Sequence, residues 1–183
     1  GLSDAPAVVN FKFNPKMAAM SSRYDMSGSM QTPERVAALI KDPQLPKEYR
    51  KLLGIPWFAR FLPGSMLARA VAKRRKNLAK HEQTTPCELR RLSDVLQSRE
   101  VRRIDLLKVD VEKAEEDVLR GIDAGDWRKV QVVAAEVHDE EGRLERIRQL
   151  CAQHGLTEWR TSQEHIFKDT CIFSVVAARP PNA

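Results

Sequence analysis

Two short stretches in the second half of the chain hold the residue types of acid–base chemistry. Leu106-Leu107-Lys108-Val109-Asp110-Val111-Glu112 ends an apolar run in carboxylates, and Val132-Val133-Ala134-Ala135-Glu136-Val137-His138-Asp139 ends another in a carboxylate and an imidazole. If both are strands, period-two alternation sets Asp110 and Glu112 on one face, and Glu136 and His138 on a shared face. Were the strands neighbours, three carboxylates and one imidazole would converge on one crevice. Buried charge costs free energy unless it is paired, so such a cluster needs a structural or functional reason. An imidazole, with an ordinary pKa of about 6.5, suits a general base near neutrality. Plainer roles stand beside this one. Glu112 would interact with the N-terminus of a following helix, and His138 would be a hydrogen-bonded ring at a strand end. Glu136, His138 and Asp139 could ligate a metal, but no third element has ligand spacing, so none is expected. His81, His154 and His165 stand isolated among polar residues and read as solvated. No cysteine or serine stands in a nucleophile-elbow motif.

The elements that must position these groups follow from periodicity. Ala7 to Phe13 reads as a half-buried strand stopped by Pro15, and residues 17–33 as a loop. Prolines at 33, 43, 46, 56 and 63 allow only short helices between them. Trp57, Phe58, Phe61 and Leu62, then Met66, Leu67 and Val71, precede Lys73-Arg74-Arg75-Lys76 as a basic amphipathic stretch. It reads as a lid helix with its aromatics packed on the core, or else as a partner-docking or membrane-surface helix. Thr84 to Leu92 is an edge strand containing Pro86, and Ser93 is the N-cap of a short helix. Ile104–Val111 and Val130–Val137 read as buried parallel strands. A helix with Gly121 and Gly125 near its end separates them. A second helix around Leu144, Ile147, Leu150 and Cys151 ends at Gly155, followed by two closing strands. The order predicts an α/β domain with a largely parallel sheet.

Composition narrows the classes. The 183 residues make about one domain, with 42% hydrophobic and 31% charged residues, as in ordinary globular proteins. Eight scattered glycines exclude both G-x-G-x-x-G and a Walker A loop. The net charge of +6 is uneven: residues 34–80 hold 12 Lys/Arg and three Asp/Glu. Three widely spaced cysteines fit a reducing cytoplasm rather than a disulfide framework. No apolar run approaches a membrane span, and the amino end lacks a signal-peptide pattern.

The stretch Arg103-Ile104-Asp105-Leu106-Leu107-Lys108-Val109-Asp110-Val111-Glu112-Lys113-Ala114-Glu115, continued by Asp117-Val118-Leu119-Arg120-Gly121-Ile122, resembles the FkbM-type S-adenosylmethionine-dependent methyltransferases. Their signature is close to I-D-L-L-K-I-D-V-E-G-x-E-x-x-V-L-x-G. Asp126-Trp127, Glu136 to Asp139 and Gly142-Arg143-Leu144 resemble the branch found in polyketide and nonribosomal peptide assembly lines. So do Phe13-Asn14-Pro15-Lys16 and Met20-Ser21-Ser22-Arg23-Tyr24. Lys113 departs from the glycine of many members. The resemblance is specific over about 104–156 and looser over 1–33 and 84–103, with 34–80 as a basic helical insertion or lid.

That resemblance implies a Rossmann-like methyltransferase fold, mostly parallel, with an antiparallel last strand. It also implies S-adenosyl-L-methionine as cofactor and methyl transfer to a hydroxyl of a small-molecule or carrier-tethered acceptor in secondary metabolism. On it, His138 is the expected base, with Asp110, Glu136 and Glu112 around it. Gly1-Leu2-Ser3-Asp4 resembles the segment after the third strand, which makes Ser3 and Asp4 the cofactor candidates. The family's V-D-V-G-A-N-x-G loop and ribose-binding acidic strand have no counterpart, so the chain resembles the carboxyl-terminal portion of the domain. A missing amino-terminal segment would be one partner. Other readings are a non-catalytic binding or scaffold protein on a residual methyltransferase fold, and a nucleic-acid binder using residues 73–76. The latter has no interleaved aromatics or accompanying motif.

Overall fold

Two sheets, one of them four strands wide, organise the larger part of the chain. The computed structural model describes residues 1–16, 21–24, 32–45, 47, 56–168 and 170–181. The chain divides into two compact units, one of Gly1–Phe13, Ala18–Ser29 and Gln83–Ala183, the other of Asn14–Met17 and Met30–Glu82.

In the first unit, strand β1 (Ala7–Phe13) pairs antiparallel with β2 (Gln83–Leu89), Pro86 lying opposite Asn10. A two-stranded ladder has only edges, which tolerate a proline that cannot donate. The wider sheet runs in the order β3 (Leu107–Val109), β4 (Val132–His138), β6 (Ile172–Ala178), β5 (Glu158–Ser162). β3 and β4 are parallel, whereas β6 is antiparallel to both β4 and β5. The expectation of a mostly parallel sheet is therefore corrected: one of its three ladders is parallel, and the other ladder in this unit is antiparallel. The physical reason is the insertion of β6 between β4 and β5. Apolar runs identify burial on both faces, but they do not say in which direction a strand enters.

β4 alternates as expected of a covered strand, with Val133, Ala135 and Val137 buried. Helix α6 (Arg143–Gln153) lays Ile147 and Cys151, four residues apart, against the core. It ends at Gly155, whose φ of 87° is the left-handed conformation that favours glycine. Helix α4 (Glu115–Arg120) contributes Val118 and Leu119, and the short α5 (Ala124–Trp127) contributes Trp127. His154 is not simply solvated: its ring stacks on Trp127 at 4.8 Å and 5°. Arg179 Nη2 donates to the Trp127 carbonyl at 2.8 Å.

Ser93 also departs from expectation. Helix α3 (Leu92–Ser98) takes Arg91 as its N-cap residue, while the buried Ser93 Oγ accepts from the Asp123 N–H at 2.7 Å. Gly121 has a different role from a left-handed cap. A Cβ there would stand 2.2 Å from the Ser3 carbonyl oxygen, so the amino-terminal segment passes directly over it. Gly121→Ala is expected to cost about 1–3 kcal/mol by overpacking against backbone that cannot swing aside. Urea unfolding of the variant measures this, and an unchanged midpoint would show that the segment moves freely.

In the second unit, α1 (Pro33–Lys41) starts at Thr32, whose Oγ1 accepts from the Arg35 N–H at 3.2 Å, with Pro33 at the first helical position. It packs on α2 (Gly64–Ala79) through Ala37, Ile40, Leu67 and Ala68. The intervening 3-10 turn, Trp57–Phe61, buries Ala59 and leaves its three aromatics exposed. The expected packing of these aromatics on a core is thus not found among the described residues. Among the described residues no helix is long and apolar enough to cross a membrane.

Candidate active site

The carboxyl ends of the parallel neighbours β3 and β4 bring the predicted residues together, through a turn that strand periodicity did not foresee. β3 stops at Val109, and Glu112 and Lys113 then take left-handed φ values of 48° and 77° before α4 begins. Asp110 and Glu112 therefore do not share a strand face. Non-glycine residues avoid this conformation unless their surroundings impose it. Here the Lys113 ammonium, buried with its side chain, pairs with Glu140 at 2.6 Å. The Ser22 hydroxyl donates to the Glu112 carbonyl at 2.6 Å. This explains the departure at position 113: the backbone has the form that suits the family's glycine, and an ion pair holds a lysine in it.

The turn aims two carboxylates at one ring. His138, at the end of β4, is buried. Its Nδ1 lies 3.0 Å from Glu115 Oε1 and its Nε2 lies 3.4 Å from Glu112 Oε2. Glu115 is wholly buried, and the same Oε1 accepts from the Lys113 N–H at 2.7 Å. Its Oε2 has no hydrogen-bond partner among the described residues, with Arg143 Nη1 3.8 Å away. Arg143 Nη1 also donates to the His138 carbonyl at 2.5 Å, bracing the strand end.

Burial alone would lower the His138 pKa, but Glu115, Glu112 and Glu136 together outweigh it and raise it. Burial raises Glu112 and Glu136, and the surrounding carboxylates, Asp110 among them, add to both rises while His138 opposes them. Asp110 itself pairs with Lys108 at 3.1 Å rather than with the imidazole. Glu136 shares the His138 face of β4, as predicted. Among the described residues no group of three His, Cys, Asp or Glu side chains could hold a metal ion. Burial pushes the Cys151 thiol up to about 11, far from nucleophilic thiolate character.

Ser3 and Asp4 join this neighbourhood through the Ser21–Tyr24 segment. Ser3 Oγ, buried, donates to Asp4 Oδ1 at 2.9 Å and accepts from Arg23 Nη1 at 3.0 Å. Arg23 Nη2 reaches Asp117 Oδ2 at 2.6 Å, and the Tyr24 hydroxyl donates to the same oxygen at 2.5 Å. Ser22, next to Arg23 in the chain, holds the Glu112 turn. Three distant chain segments thus interlock around the start of α4.

Sequence reasoning missed Glu115, Ser22 and Asp117 as members of this network. Each lies in a motif already quoted for its resemblance, and that was the available signal. A glutamate in the first turn of a helix otherwise reads as a solvated partner of the helix N-terminus. Ser22 acts through a carbonyl 90 residues away, which no local pattern reports.

The chain is 44% identical over 89 residues to the 31-O-demethyl-FK506 methyltransferase FkbM of Streptomyces tacrolimicus, covering 49% of this chain and 34% of that protein. It is 38% identical over 99 residues to the AMB antimetabolite synthetase AmbE of Pseudomonas aeruginosa, covering 51% of this chain and 5% of that protein. It is 37% identical over 106 residues to the methyltransferase sdnD of Sordaria araneosa, covering 50% and 38%. The chain thus spans little more than a third of the length of these relatives at most. No solved structure matches it significantly. The profile of the methyltransferase FkbM domain matches residues 56–157, a stretch that includes Glu112, Glu115, Glu136 and His138. That match takes in more than half of the sequence, and the chain belongs to the FkbM methyltransferase domain family.

Proposed function

We propose that the chain carries the acid–base half of an S-adenosylmethionine-dependent O-methyltransferase, with His138 as the base that takes the acceptor's hydroxyl proton. The observation that carries this reading is the buried Glu115–His138–Glu112 arrangement at a strand end within the family-matched stretch. Glu115 fixes the ring from Nδ1, which leaves Nε2, beside Glu112, as the nitrogen that would take the proton. Glu112, held beside Nε2 by the left-handed turn, and Glu136 and Asp110 supply acceptors for orienting hydroxyls. An imidazole between carboxylates is well placed to hold a proton, because the charge it gains is compensated at once.

The described residues fit one side of the cofactor. The Gly121 cradle admits the Ser3 backbone at a distance that any Cβ would block, and Asp4 offers an exposed carboxylate beside it. Ser3 and Asp4 would hold the cofactor by hydrogen bonding, linked to the acid–base cluster through Arg23 and its neighbour Ser22, which donates to the Glu112 carbonyl. When bound, the cofactor supplies an electrophilic methyl group on a sulfonium. The protein's own contribution is to hold the acceptor hydroxyl in line and accept its proton.

The names of the relatives, an FK506 methyltransferase and an antimetabolite synthetase, support an acceptor from secondary metabolism, free or carrier-tethered. The reading fits a chain that acts in the cytoplasm. Titration calorimetry with S-adenosylmethionine, followed by transfer of a labelled methyl group to hydroxylated acceptors, tests the proposal. Label appearing as a base-stable ether and lost in Asp4→Ala supports it. Transfer to nitrogen or carbon instead would refute the oxygen acceptor, and transfer unaffected by Asp4→Ala would remove that residue from the cofactor side.

A further inference from the structure

Between residues 56 and 81 the chain has seven Lys/Arg and no Asp or Glu. α2 turns Leu67 and Ala68 inward, and on its outer side Met66, Arg69, Ala70, Lys73, Lys76, Asn77 and Lys80 are exposed. The preceding 3-10 turn presents a cluster of rings. Trp57 is 75% exposed, Phe61 66% and Phe58 50%, and Met66 beyond them is 55% exposed. The rings meet edge to face, Trp57 with Phe58 and with Phe61 at 6.2 Å, and the Arg60 guanidinium lies 4.7 Å from the Phe61 ring centre. Four large apolar side chains are thus exposed within ten residues, with Trp57 touching both Phe58 and Phe61, and such exposure calls for an occupant.

We propose that this face adsorbs to an anionic phospholipid surface, with Trp57, Phe58, Phe61 and Met66 entering the headgroup–acyl boundary and the α2 cations lying over the headgroups. The distribution of residues favours a bilayer over a protein partner. A groove that receives a helix reads apolar anchors spaced at i, i+3 or i+4, and i+7 along one face. Here the apolar side chains are bunched at one end. Beyond Met66 the exposed residues of α2 are cations, Asn77 and alanines, with no further large apolar side chain. Aromatics beside a run of Lys and Arg, with no acidic residue between positions 56 and 81 and Glu34 of α1 the carboxylate near Arg75, match what an anionic interface attracts. The inference is independent of the methyl-transfer reading, since none of its residues belongs to the Glu115–His138–Glu112 cluster.

Co-sedimentation of the full chain with vesicles tests it, using phosphatidylcholine alone and phosphatidylcholine containing roughly one third phosphatidylglycerol. Binding to the anionic vesicles should be at least about tenfold tighter and should weaken steeply with salt. A blue shift of tryptophan emission on binding should vanish in Trp57→Ala. The double variant Trp57→Ala/Phe61→Ala should bind about tenfold more weakly while keeping the wild-type unfolding midpoint, since both side chains are exposed. Failure to sediment with anionic vesicles would overturn the proposal, as would sedimentation indifferent to the double variant. Stoichiometric capture of an acidic helical protein, with vesicles leaving the chain in solution, would assign the face to a protein instead.

Discussion

Glu115→Ala is expected to remove about 3–5 kcal/mol of stability, the range seen when one partner of a buried ion pair is deleted. The carboxylate is wholly buried, and its Oε1 serves both the His138 ring and the Lys113 N–H. Alanine would strand an imidazole among the remaining carboxylates without its Nδ1 partner. It would also leave a buried backbone N–H unsatisfied in a turn that already holds two residues at positive φ. Glu115→Gln keeps the shape and one acceptor oxygen, so a smaller loss of about 1–3 kcal/mol is expected. Urea unfolding near neutral pH measures both. A loss below about 1 kcal/mol for the alanine variant would show that water replaces the carboxylate.

In the proposed reaction, His138→Ala should lower kcat by about 10²–10⁴, the usual contribution of a positioned general base. An unchanged rate would remove His138 from that role. The pH dependence separates catalysis from folding, because the two move in opposite directions. With its pKa raised above 6.5, His138 becomes an available base only as pH climbs through that raised value, so kcat/KM should have its acid limb above 6.5. Glu115→Gln removes a carboxylate that helps to raise it, and should shift the limb to lower pH. Stability behaves otherwise. A group with a raised folded-state pKa contributes stability that is complete below its unfolded pKa and is lost as pH rises through the folded value. For Glu112 and Glu136 that loss begins above about 4.5, and for His138 above about 6.5. The contribution of these three groups to the unfolding free energy should therefore fall as pH rises from 4.5 past neutrality, against an opposite contribution below about 6.5 from His154, whose pKa burial lowers, while activity rises. In His138→Gln the upper part of that fall should flatten.

How far the site could be read in advance varies residue by residue. Glu136 and His138 were placeable on a common face because they lie inside a true strand, where alternation holds to the last residue. Asp110 and Glu112 were not, because β3 is only three residues long and the left-handed pair at 112 and 113 breaks the alternation. The Ile104 end of that run makes a single parallel bridge to Val130 instead of a continuous ladder. Gly155 followed the left-handed cap rule, whereas Gly121 was required by the approach of Ser3 from the other end of the sequence. The aromatics of Trp57–Phe61 read as inward-facing by sequence and are exposed in the structure, since helical spacing shows that side chains share a face and not which face finds a partner.

By itself, the order of residues determined the family, the apolar strands and helices of the carboxyl-terminal half, and the gathering of acid–base groups at two strand ends. These depend on short-range periodicity and on a signature written within twenty residues. Only the tertiary structure decided that β6 enters between β4 and β5, that Glu115 rather than Asp110 orients the imidazole, and that Ser22 holds the turn from afar. The reason is physical. A buried carboxylate is tolerable only where a specific N–H and a specific ring meet it, and those partners arrive by packing between segments that no local pattern connects.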